Sequence, residues 1–332
     1  MPAGARLEAL IPHSLESLPA ELSGGVVAVG NFDGMHRGHV ALLEAAKATA
    51  KNLGVPSLAL TFEPHPRTVL RPDTPVFRLT SLAVKARILR AVGIDGLAVA
   101  RFDQAFAAIT AERFVDEILV ARLRIAAAVV GFNFRFGQKR AGTSAVLVDA
   151  GQRSGFAVTV VEAVGGGDDR PLSSSAIRDA LATGNVALAN AMLGYRWFVM
   201  GEVERGEGRG RKLGYRTANV RLGSDCALRH GVYAVRVQRA GGRAFDGMAS
   251  YGVRPTFDNG APLLEVHVFE FSEDLYGEEV AVTFVGWIRR EERFPSVAAL
   301  VEAMGRDAAS ARAMLRGSGP GGPLDSVLAA LA

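Results

Sequence analysis

The sequence has few of the features that mark a secreted or membrane protein. It contains one cysteine, Cys226, in 332 residues, so an intrachain disulfide cannot form and a reducing compartment is expected. No stretch approaches the roughly twenty apolar residues that a membrane-spanning helix requires. Met1 to Leu22 carries scattered acids and no long apolar core, which argues against a secretory signal. We therefore expect a cytoplasmic protein without a membrane partner.

The sequence also has no large excess of positive or negative charge. The net charge is only +4, although the isoelectric point near 9.4 is basic. Some of the basic residues form two short clusters beside glycines rather than a long stripe with interleaved aromatics, which suits nucleotide phosphates better than nucleic acid. The clusters are Arg135, Lys139 and Arg140, and Arg205, Arg209, Arg211, Lys212 and Arg216. A nucleic-acid binder that uses these clusters is the weaker alternative.

The segment Gly30–His39 combines glycines with two histidines at a change of pattern. It follows a short apolar run and precedes a helical pattern, which predicts a buried strand, a tight glycine turn and a helix. His36 and His39 are about one helical turn apart, so both rings should lie on one face beside free backbone N–H groups. Gly38 places no side chain between them. We expect this helix start to bind phosphate.

Two ordinary surface histidines near a turn, or half of a metal site, are the alternatives for this segment. Three of the six histidines, His36, His39 and His65, lie within thirty residues of one another. The only cysteine is distant in sequence, so a zinc site would lack soft ligands. The phosphate site is therefore the stronger hypothesis.

Short apolar runs alternate with helical patterns from residue 57 to residue 131. The predicted strands are Ser57–Phe62, Gly96–Phe102 and Ala126–Gly131, and the predicted helices are Ser81–Val92 and Thr110–Leu123. Nearly continuous apolar strands that alternate with helices are typical of a parallel sheet covered on both faces. Ligands of such folds bind at the carboxyl ends of the strands, where the glycine-rich loops of this chain fall.

Two further loops follow predicted strands. Glu63–Pro66 has prolines on both sides of His65, which predicts an extended loop that excludes helix. The loop after residue 131 combines glycines, phenylalanines and cations. We expect Phe136 to form an apolar wall for a planar ring, with Asn133 and Arg140 directed to ligand or phosphate. The alternative is that the phenylalanines anchor the loop in the core.

Consecutive hydroxyl residues open a predicted helix that runs to about residue 182. Ser173, Ser174 and Ser175 at such a position most often indicate helix capping alone. Arg178 lies one turn after Ser174, so hydroxyls, N–H groups and a guanidinium are also placed to converge on a triphosphate. The residues themselves leave both interpretations open.

The alternation of strands and helices stops around residues 184–186, and we place a domain boundary there, between domains 1–186 and 187–332. The second half has short β-rich segments bounded by turns, which predict a small antiparallel barrel or sandwich. The predicted strands are Val199–Val203, Val232–Val237, Gly247–Tyr251, Leu263–Phe271 and Val280–Trp287. A helix is expected from Val297 to Met304 or beyond. The tail Gly317–Pro323 predicts a flexible linker to a short terminal helix.

A second glycine-rich run, residues 201–214, precedes Thr217 and Asn219. Glycines let backbone N–H groups wrap a phosphate, and the hydroxyl and amide oxygens of these two residues are hard ligands suited to Mg²⁺. A surface hairpin is the alternative. Glu265 lies in an alternating strand on the face opposite Leu264 and Val266. From this pattern alone it is equally well an exposed strand glutamate.

Several of these segments resemble one known family. Gly30–His39 resembles the HxGH signature of the nucleotidyltransferase superfamily, and specifically that of the bacterial bifunctional riboflavin kinases/FMN adenylyltransferases. Gly131–Thr143 resembles the GxNFxFGxxRxG segment of the same family. Ser173–Arg178 resembles its Ser-Ser-Thr-x-x-Arg pattern, with Ser175 in place of the threonine, which keeps the hydroxyl.

The second half resembles the riboflavin kinase module of this family. Gly201–Asn219 matches its glycine-rich loop and Pro-Thr-Ala-Asn motif, except that Arg216 replaces the proline. Arg254–Phe257 matches an Arg-Pro-Thr-Phe element, and Ser250 lies where asparagine is frequent. Two further segments also match, Asp274–Gly277 and Arg289–Phe294.

The resemblance implies an α/β fold, a Rossmann-like nucleotidyltransferase domain with a parallel sheet, followed by a small antiparallel β-barrel riboflavin kinase domain. It implies phosphorylation of riboflavin by ATP to give FMN and adenylylation of FMN by a second ATP to give FAD and pyrophosphate. Mg²⁺ is the implied cofactor, and riboflavin, FMN and ATP are the implied small-molecule partners. An FMN adenylyltransferase whose barrel only binds flavin is the alternative, suggested by Arg216 and Ser250.

The residues expected to act fall into four sets under this resemblance. The catalytic set is His36, His39, Arg178 and Glu265, of which Glu265 takes the proton of the ribityl hydroxyl. The ATP-binding set is Gly30, Asn31, Phe32, Asn133, Arg140, Ser173, Ser174, Ser175, Gly208 and Lys212. The flavin-binding set is Phe136 and Arg254, and the metal-binding set is Thr217 and Asn219.

Overall fold

The chain is seen here as a computed structural model that describes residues 10–165, 172–205, 215–223, 225–239, 242–253 and 262–331. Its contacts divide the chain into two compact units, Met1–Leu172 and Ser173–Ala332. The division falls earlier than the boundary predicted near residue 186. Helix α7 (Ser174–Ala182) packs against helix α8 (Val186–Leu193), so both belong to the second unit.

The first unit contains a six-stranded parallel sheet in the order β1-β4-β3-β2-β5-β8. Its strands are β1 (Pro12–Ser14), β2 (Val26–Val29), β3 (Ser57–Glu63), β4 (Gly96–Arg101), β5 (Ala127–Gly131) and β8 (Ala157–Val161), and β6 (Arg135–Phe136) and β7 (Gly142–Thr143) form a small hairpin. Its helices are α1 (Arg37–Leu53), α2 (Pro66–Leu70), α3 (Leu82–Val92), α4 (Gln104–Ala107), α5 (Ala111–Arg113) and α6 (Ser144–Ser154). The predicted parallel α/β arrangement is confirmed.

Local sequence signals account for the ends of the helices that flank the sheet. Helix α3 begins after Ser81, whose hydroxyl accepts a hydrogen bond from the N–H of Val84, and ends at Gly93 with φ 85°. Helix α1 ends at Gly54 with φ 68°. Strand β2 is buried along its whole length, as expected of a central strand covered on both faces.

Of the local predictions for His65–Pro66 and for Thr110–Leu123, the first is wrong. Pro66 does not exclude helix but begins α2, and the His65 ring caps that helix by accepting from the N–H of Arg67. Proline is tolerated at the first helical position because that N–H has no intrahelical partner. The helix predicted near Thr110–Leu123 is present, as α5 followed directly by a π-helix over Phe114–Arg122.

The second unit contains a closed antiparallel barrel in the order β10-β13-β12-β11-β14-β9, which decides between barrel and sandwich. Its strands are β9 (Phe198–Glu204), β10 (Ala218–Val220), β11 (Gly231–Arg239), β12 (Ala244–Val253), β13 (Pro262–Val268) and β14 (Glu279–Arg289). The interior is filled by large aromatic rings: Phe284 lies with its centroid 4.8 Å from that of Trp197 and 5.3 Å from that of Tyr233.

A long helix, α9 (Val297–Gly317), covers part of the outer face of the barrel. Its residues Ala311 and Leu315 pack against Met248 of β12. The terminal helix α10 (Pro323–Ala330) is held to the same unit because the main-chain N–H of Arg196 donates to Asp325 at 2.7 Å. None of the described helices has the length and apolar character required to cross a membrane.

Candidate active sites

The first candidate site lies where the strand order of the parallel sheet reverses. From β2 the chain builds β3 and β4 on one side of the sheet, and it later adds β5 and β8 on the other side. Loops that follow β2 and β5 therefore flank the crevice in which open α/β sheets bind ligands. The segments Gly30–His36 and Gly131–Gly142 are these two loops.

The two imidazoles lie together at the start of helix α1. His36 is the residue before the first helical position, with φ −62° and ψ 170°, and its side chain makes no capping hydrogen bond. The rings of His36 and His39 stack with centroids 3.9 Å apart. The first N–H groups of α1 and the positive end of the helix dipole lie beside them. An anion is the natural ligand of such a helix start.

Burial keeps both imidazoles neutral. It lowers the pKa of His36 to about 4, against a smaller opposing effect of Asp33. It also lowers the pKa of His39 well below its usual value, and the Lys85 cation and any proton on His36 lower it further. Within the part of the chain that the structure describes, the buried Nδ1 atoms of both rings have no hydrogen-bond partner. Both rings thus retain a polar atom for a ligand.

Residues outside the motif fix the shape of the loop that carries the histidines. The buried Asp33 carboxylate accepts from the N–H groups of Leu79 at 2.9 Å and Thr80 at 3.1 Å. The Thr61 hydroxyl donates to the carbonyl of Asn31 at 3.0 Å. Three residues of this loop have positive φ: Phe32, Gly34 and Met35. The loop therefore has a strained local conformation that tertiary hydrogen bonds hold in place.

Three residues of the predicted ATP-binding set lie in this loop in different environments. Asn31 is exposed, and Gly30 is partly buried. The Phe32 ring is fully buried and packs edge-on to the His39 ring at 5.6 Å. A Cβ added to Gly30 would lie 3.3 Å from that ring. The Phe32 ring therefore packs against the His39 ring and supports it. Because the ring is fully buried, only the backbone of Phe32 is placed to contact a nucleotide.

The loop after β5 divides its residues between core and surface. Phe136 is buried in the main core, with ring centroids 5.4 Å from Phe114 and 5.3 Å from Phe134. The anchoring of this phenylalanine in the core, which the sequence offered as the alternative, is thus observed, and its contact with flavin stays a prediction. Asn133 and Arg140 are exposed on the same loop. Their directions toward ligand also stay predictions.

The serine-rich helix start lies in the second compact unit, on α7. The Ser173 hydroxyl accepts from the N–H of Ala176 at 3.1 Å, so this serine caps the helix. Ser175 is exposed, and Ser174 and Arg178 are partly buried. Capping is therefore one role of this segment, and the convergence of its hydroxyls and guanidinium on a triphosphate stays a prediction.

The second candidate site is a row of polar residues across three neighbouring strands of the barrel. Asn219 of β10 is paired with Glu265 of β13, and Glu265 is paired with Ser250 of β12. Directly opposed residues of paired strands point to the same face. Met248, two residues before Ser250, packs beneath α9, so this polar row lies on the outer face of the barrel.

The environment of Asn219 fits an oxygen-seeking cation. Its side chain is 4 % exposed, and its Oδ1 atom has no hydrogen-bond partner among the described residues. A buried amide oxygen without a donor is costly unless a ligand satisfies it, and Mg²⁺ prefers oxygen ligands. Thr217 lies two residues earlier, just before β10. No cluster of three or more His, Cys, Asp or Glu side chains placed to hold a metal occurs in the described ranges.

Arg216, which takes the place of the motif proline, is held by two contacts. Its carbonyl oxygen lies 2.8 Å from the Nδ1 atom of His267, and its guanidinium donates to the carbonyl of Ser272 at 3.1 Å. These contacts replace part of the rigidity that proline would give the backbone. Three predicted site residues, Gly208, Lys212 and Arg254, lie outside the described residues.

Comparisons with known proteins match the two halves of the chain separately. Residues 18–176 match the family model for FAD synthetase, and residues 193–315 match that for riboflavin kinase. The chain is 40% identical over 300 residues to the bifunctional riboflavin kinase/FMN adenylyltransferase of Escherichia coli strain K12, which covers 90% of this chain and 95% of that protein. The chain belongs to the family of bifunctional riboflavin kinases/FMN adenylyltransferases.

Two further relatives extend the comparison. The bifunctional riboflavin kinase/FMN adenylyltransferase of Bacillus subtilis strain 168 is 35% identical over 302 residues, covering 89% of this chain and 93% of that protein. A crystal structure from Streptococcus pneumoniae, titled as a macrolide-efflux protein, has a TM-score of 0.78 at 31% identity, covering 92% of this chain and 99% of that chain. That title names a different activity from the relatives, so the structure is evidence for the shared fold.

Sequence reasoning missed a buried ion pair beside the histidines of this family member. The Lys85 ammonium lies 2.7 Å from a carboxylate oxygen of Glu63, at the end of β3. Lys85 occupies the apolar stripe of α3, three, four and seven residues before Ile88, Leu89 and Val92. A lysine among the apolar residues of a helix indicates a buried charge that needs a partner, and the sequence pattern already contained this signal.

A second missed residue is Glu291, near the polar row of the barrel. Burial raises the pKa of its carboxyl, the nearby His230 opposes this shift, and Glu265 raises the pKa further. A Cβ added to Gly252 would collide with the Oε1 atom of Glu291. The absence of a side chain at Gly252 therefore leaves room for this carboxylate. Glu291 lies in the matched segment Arg289–Phe294, but the sequence did not indicate that Glu291 is near Glu265.

Proposed function

We propose that this chain carries out both reactions of its family: the barrel unit converts riboflavin and ATP to FMN and ADP, and the α/β unit converts FMN and a second ATP to FAD and pyrophosphate. The observation that carries this proposal is the match of both halves of one chain to the two enzyme families. We place the reactions in the cytoplasm, which suits a chain whose single cysteine leaves no intrachain disulfide.

Adenylyl transfer requires a phosphate oxygen of FMN to attack the α-phosphorus of ATP as the bond to the bridging oxygen breaks. Pyrophosphate then leaves. No covalent nucleophile is needed, so catalysis rests on positioning and on the stabilisation of charge. In our proposal His36 and His39 donate to the triphosphate at the start of α1, while Asn133 and Arg140 orient it. The triphosphate contacts that the resemblance implies for Ser174 and Arg178 on α7 stay predictions.

Phosphorylation of riboflavin requires a base for the ribityl hydroxyl. In our proposal Glu265 takes that proton as the hydroxyl oxygen attacks the γ-phosphorus of ATP, and ADP leaves. Thr217 and Asn219 would hold Mg²⁺, and the buried Oδ1 atom of Asn219 supports this assignment. When bound, the metal ion would offset negative charge on the phosphates. The pairing of Asn219 with Glu265 supports a metal site beside the base.

The remaining sets complete the proposal. Phe136 and Arg254 are proposed to contact flavin, and Gly30, Asn31, Phe32, Ser173 and Ser175 to contact the adenylyl-donor ATP. Gly208 and Lys212 are proposed to contact the phosphoryl-donor ATP. The alternative, a barrel that only binds flavin, would leave the first reaction without a catalyst in this chain.

One assay tests the whole proposal. The purified chain is incubated with riboflavin, ATP and Mg²⁺, the flavins are separated by chromatography, and released ADP and pyrophosphate are measured. We expect FMN to appear first and FAD to follow, with one ADP and one pyrophosphate released for each FAD. FAD formation from supplied FMN without ADP release from riboflavin would select the flavin-binding barrel. If neither riboflavin nor supplied FMN were converted, both the bifunctional proposal and the flavin-binding alternative would be refuted.

A further inference from the structure

Lys85 is a buried cation that the proposed reaction does not yet use. It is 2 % exposed on helix α3. Its ammonium lies 2.7 Å from Glu63 and donates to the Thr61 hydroxyl at 3.3 Å. The removal of an ammonium from water is costly, and a buried ion pair is often no more stabilising than apolar side chains of the same volume. Stability alone is therefore a poor explanation for a lysine at this position.

Glu63 already has a second cation. The Arg78 guanidinium lies 2.9 Å from the other carboxylate oxygen, and Arg78 is 41 % exposed at its side chain. Arg78 is thus near enough to water to neutralise the carboxylate at a lower desolvation cost. The buried ammonium of Lys85 adds positive charge beyond what one carboxylate requires.

Lys85 also reaches the histidine loop through a short relay. Its ammonium donates to the Thr61 hydroxyl, and that hydroxyl donates in turn to the carbonyl of Asn31 at 3.0 Å. The start of the same helix is preceded by Leu79 and Thr80, whose N–H groups hold Asp33. Helix α3 and the segment just before it therefore hold the loop at two points, and the point within the helix depends on Lys85.

The charge of Lys85 acts on the histidine pair as well as on the loop. It lowers the pKa of His39, as does His36, while Asp33 raises that of His36. Glu63 and Arg78 are the remaining charged groups of this network. In the described ranges the buried Nδ1 atoms of both rings have no hydrogen-bond partner, so no hydrogen bond at Nδ1 fixes the pair.

We propose that Lys85 is a positioning residue for adenylyl transfer: its ammonium holds the Asn31 loop through Thr61 and places positive charge behind His39, where the phosphates of ATP would bind. This inference rests on the proposed function of the first unit. In this proposal Lys85, which is buried, acts through Thr61, Asn31 and His39.

The decisive variant is Lys85→Met, which keeps the length of the side chain and removes the charge, while Arg78 remains to pair with Glu63. Lys47→Met is the matched control, because Lys47 donates to the carbonyl of Val92 at 2.6 Å and so joins α1 to the end of α3 away from the histidines. We expect Lys85→Met to lower kcat/KM for ATP in FAD formation about a hundredfold, as a small misplacement of the loop would. Lys47→Met should stay within about twofold of wild type.

Histidine titrations by NMR separate electrostatic positioning from mere packing. Lys85→Met removes a cation and should raise the pKa of His39. Glu63→Gln removes the carboxylate that offsets Lys85 and should lower the pKa of His39 further. A contact that only supports the fold would move both titrations in the same direction or leave them unmoved, and either result would overturn the proposal.

Riboflavin kinase activity and amide exchange across α1 report folding in the same samples. Loss of FAD formation together with loss of α1 protection in Lys85→Met would assign Lys85 a structural role and overturn the proposal. Wild-type kcat/KM for ATP in that variant would overturn the role of Lys85 alone. Absence of FAD from the wild-type reaction would instead overturn the proposed function, and the role of Lys85 with it.

Discussion

The two candidate sites are built from different kinds of structure. The site of the α/β unit lies in one loop between β2 and α1, where His36 and His39 are close in sequence and stack at 3.9 Å. The site of the barrel is a row across three strands, and its members Asn219, Ser250 and Glu265 meet only because the strands pair in one register. One site therefore depends on loop shape, and the other depends on strand pairing.

The electrostatics of the two sites differ in the same way. The imidazoles of the first site are neutral and lie beside a helix N-terminus with the Lys85 cation behind them. The row in the barrel carries the Glu265 carboxylate, with the Glu291 carboxylate near enough to be affected by it. The first arrangement suits a polyanion, and the second suits a proton acceptor and a cation. Each site should therefore be separable from the other by mutation.

The largest expected effect is the fall in FMN formation when the proposed base of the barrel, Glu265, is removed. Glu265→Gln keeps the size of the side chain and removes its ability to take a proton, so FMN formation should fall by about a thousandfold. FAD formation from supplied FMN should not change. Steady-state assays of the two reactions on the same sample check this. Loss of both activities in a folded variant would contradict the separation of the two sites.

The converse variant acts on the loop site. His39→Ala removes one donor from the proposed triphosphate site, so FAD formation should fall about a hundredfold, which is about 3 kcal/mol in the barrier. FMN formation from riboflavin should be unaffected. Phe32, which packs against the His39 ring, loses a neighbour in this variant. Amide exchange across α1 therefore serves as the control for folding.

The acid sensitivity of the first unit provides a third comparison. His36 has a pKa of about 4 in the folded chain and about 6.5 when unfolded, so the unfolded chain binds the proton more tightly. The stability due to the neutral imidazole is complete above pH 6.5, and it declines as the pH falls toward 4. The loss is on the order of 3 kcal/mol. The variant His36→Gln should show a weaker decline.

Urea unfolding followed by hydrogen exchange of β2 and α1 peptides measures this decline. Trp197 and Trp287 are the two tryptophans of the chain, and both lie in the second unit. Their fluorescence follows the barrel only and provides an internal reference. An equal pH dependence of the β2 and α1 peptides in wild type and His36→Gln would show that His36 contributes nothing to acid sensitivity.

The loop site was predictable from sequence to a larger extent than the barrel site. Its histidines, glycines and flanking patterns are contiguous, and the spacing of His36 and His39 places both rings on one face of a helix. The alignment of Asn219 with Glu265 depends on which strands pair and in what register, which no local pattern specifies. The sequence therefore named Asn219 and Glu265 for separate reasons without bringing them together.

Contacts from distant segments were the other part that sequence reasoning missed. Thr80, just before α3, and Lys85, within α3, hold the histidine loop, although the pattern treated α3 only as a cover for the sheet. Phe136, expected to face a planar ligand, packs in the core with Phe114. In each case tertiary packing set the surroundings of a side chain that its neighbours in sequence left open.

The smallest expected effect on FAD formation comes from a small displacement of the His36 ring. A Cβ on Gly38 would lie 3.2 Å from two atoms of the His36 ring, so Gly38→Ala should push that ring aside by a few tenths of an ångström. Alanine is favoured over glycine in a helix by up to about 1 kcal/mol, so stability should not fall. FAD formation should nevertheless fall about tenfold.

Gly54→Ala is the opposite control for Gly38→Ala. Gly54 ends α1 at φ 68° with open space around its Cβ position, so alanine there should cost about 1 kcal/mol of stability through backbone strain. It should leave FAD formation unchanged because it is a helix length away from the histidines. If Gly38→Ala kept wild-type FAD formation while Gly54→Ala lowered it, stability rather than ring position would control the loop site, and the contrast drawn between the two sites would fail.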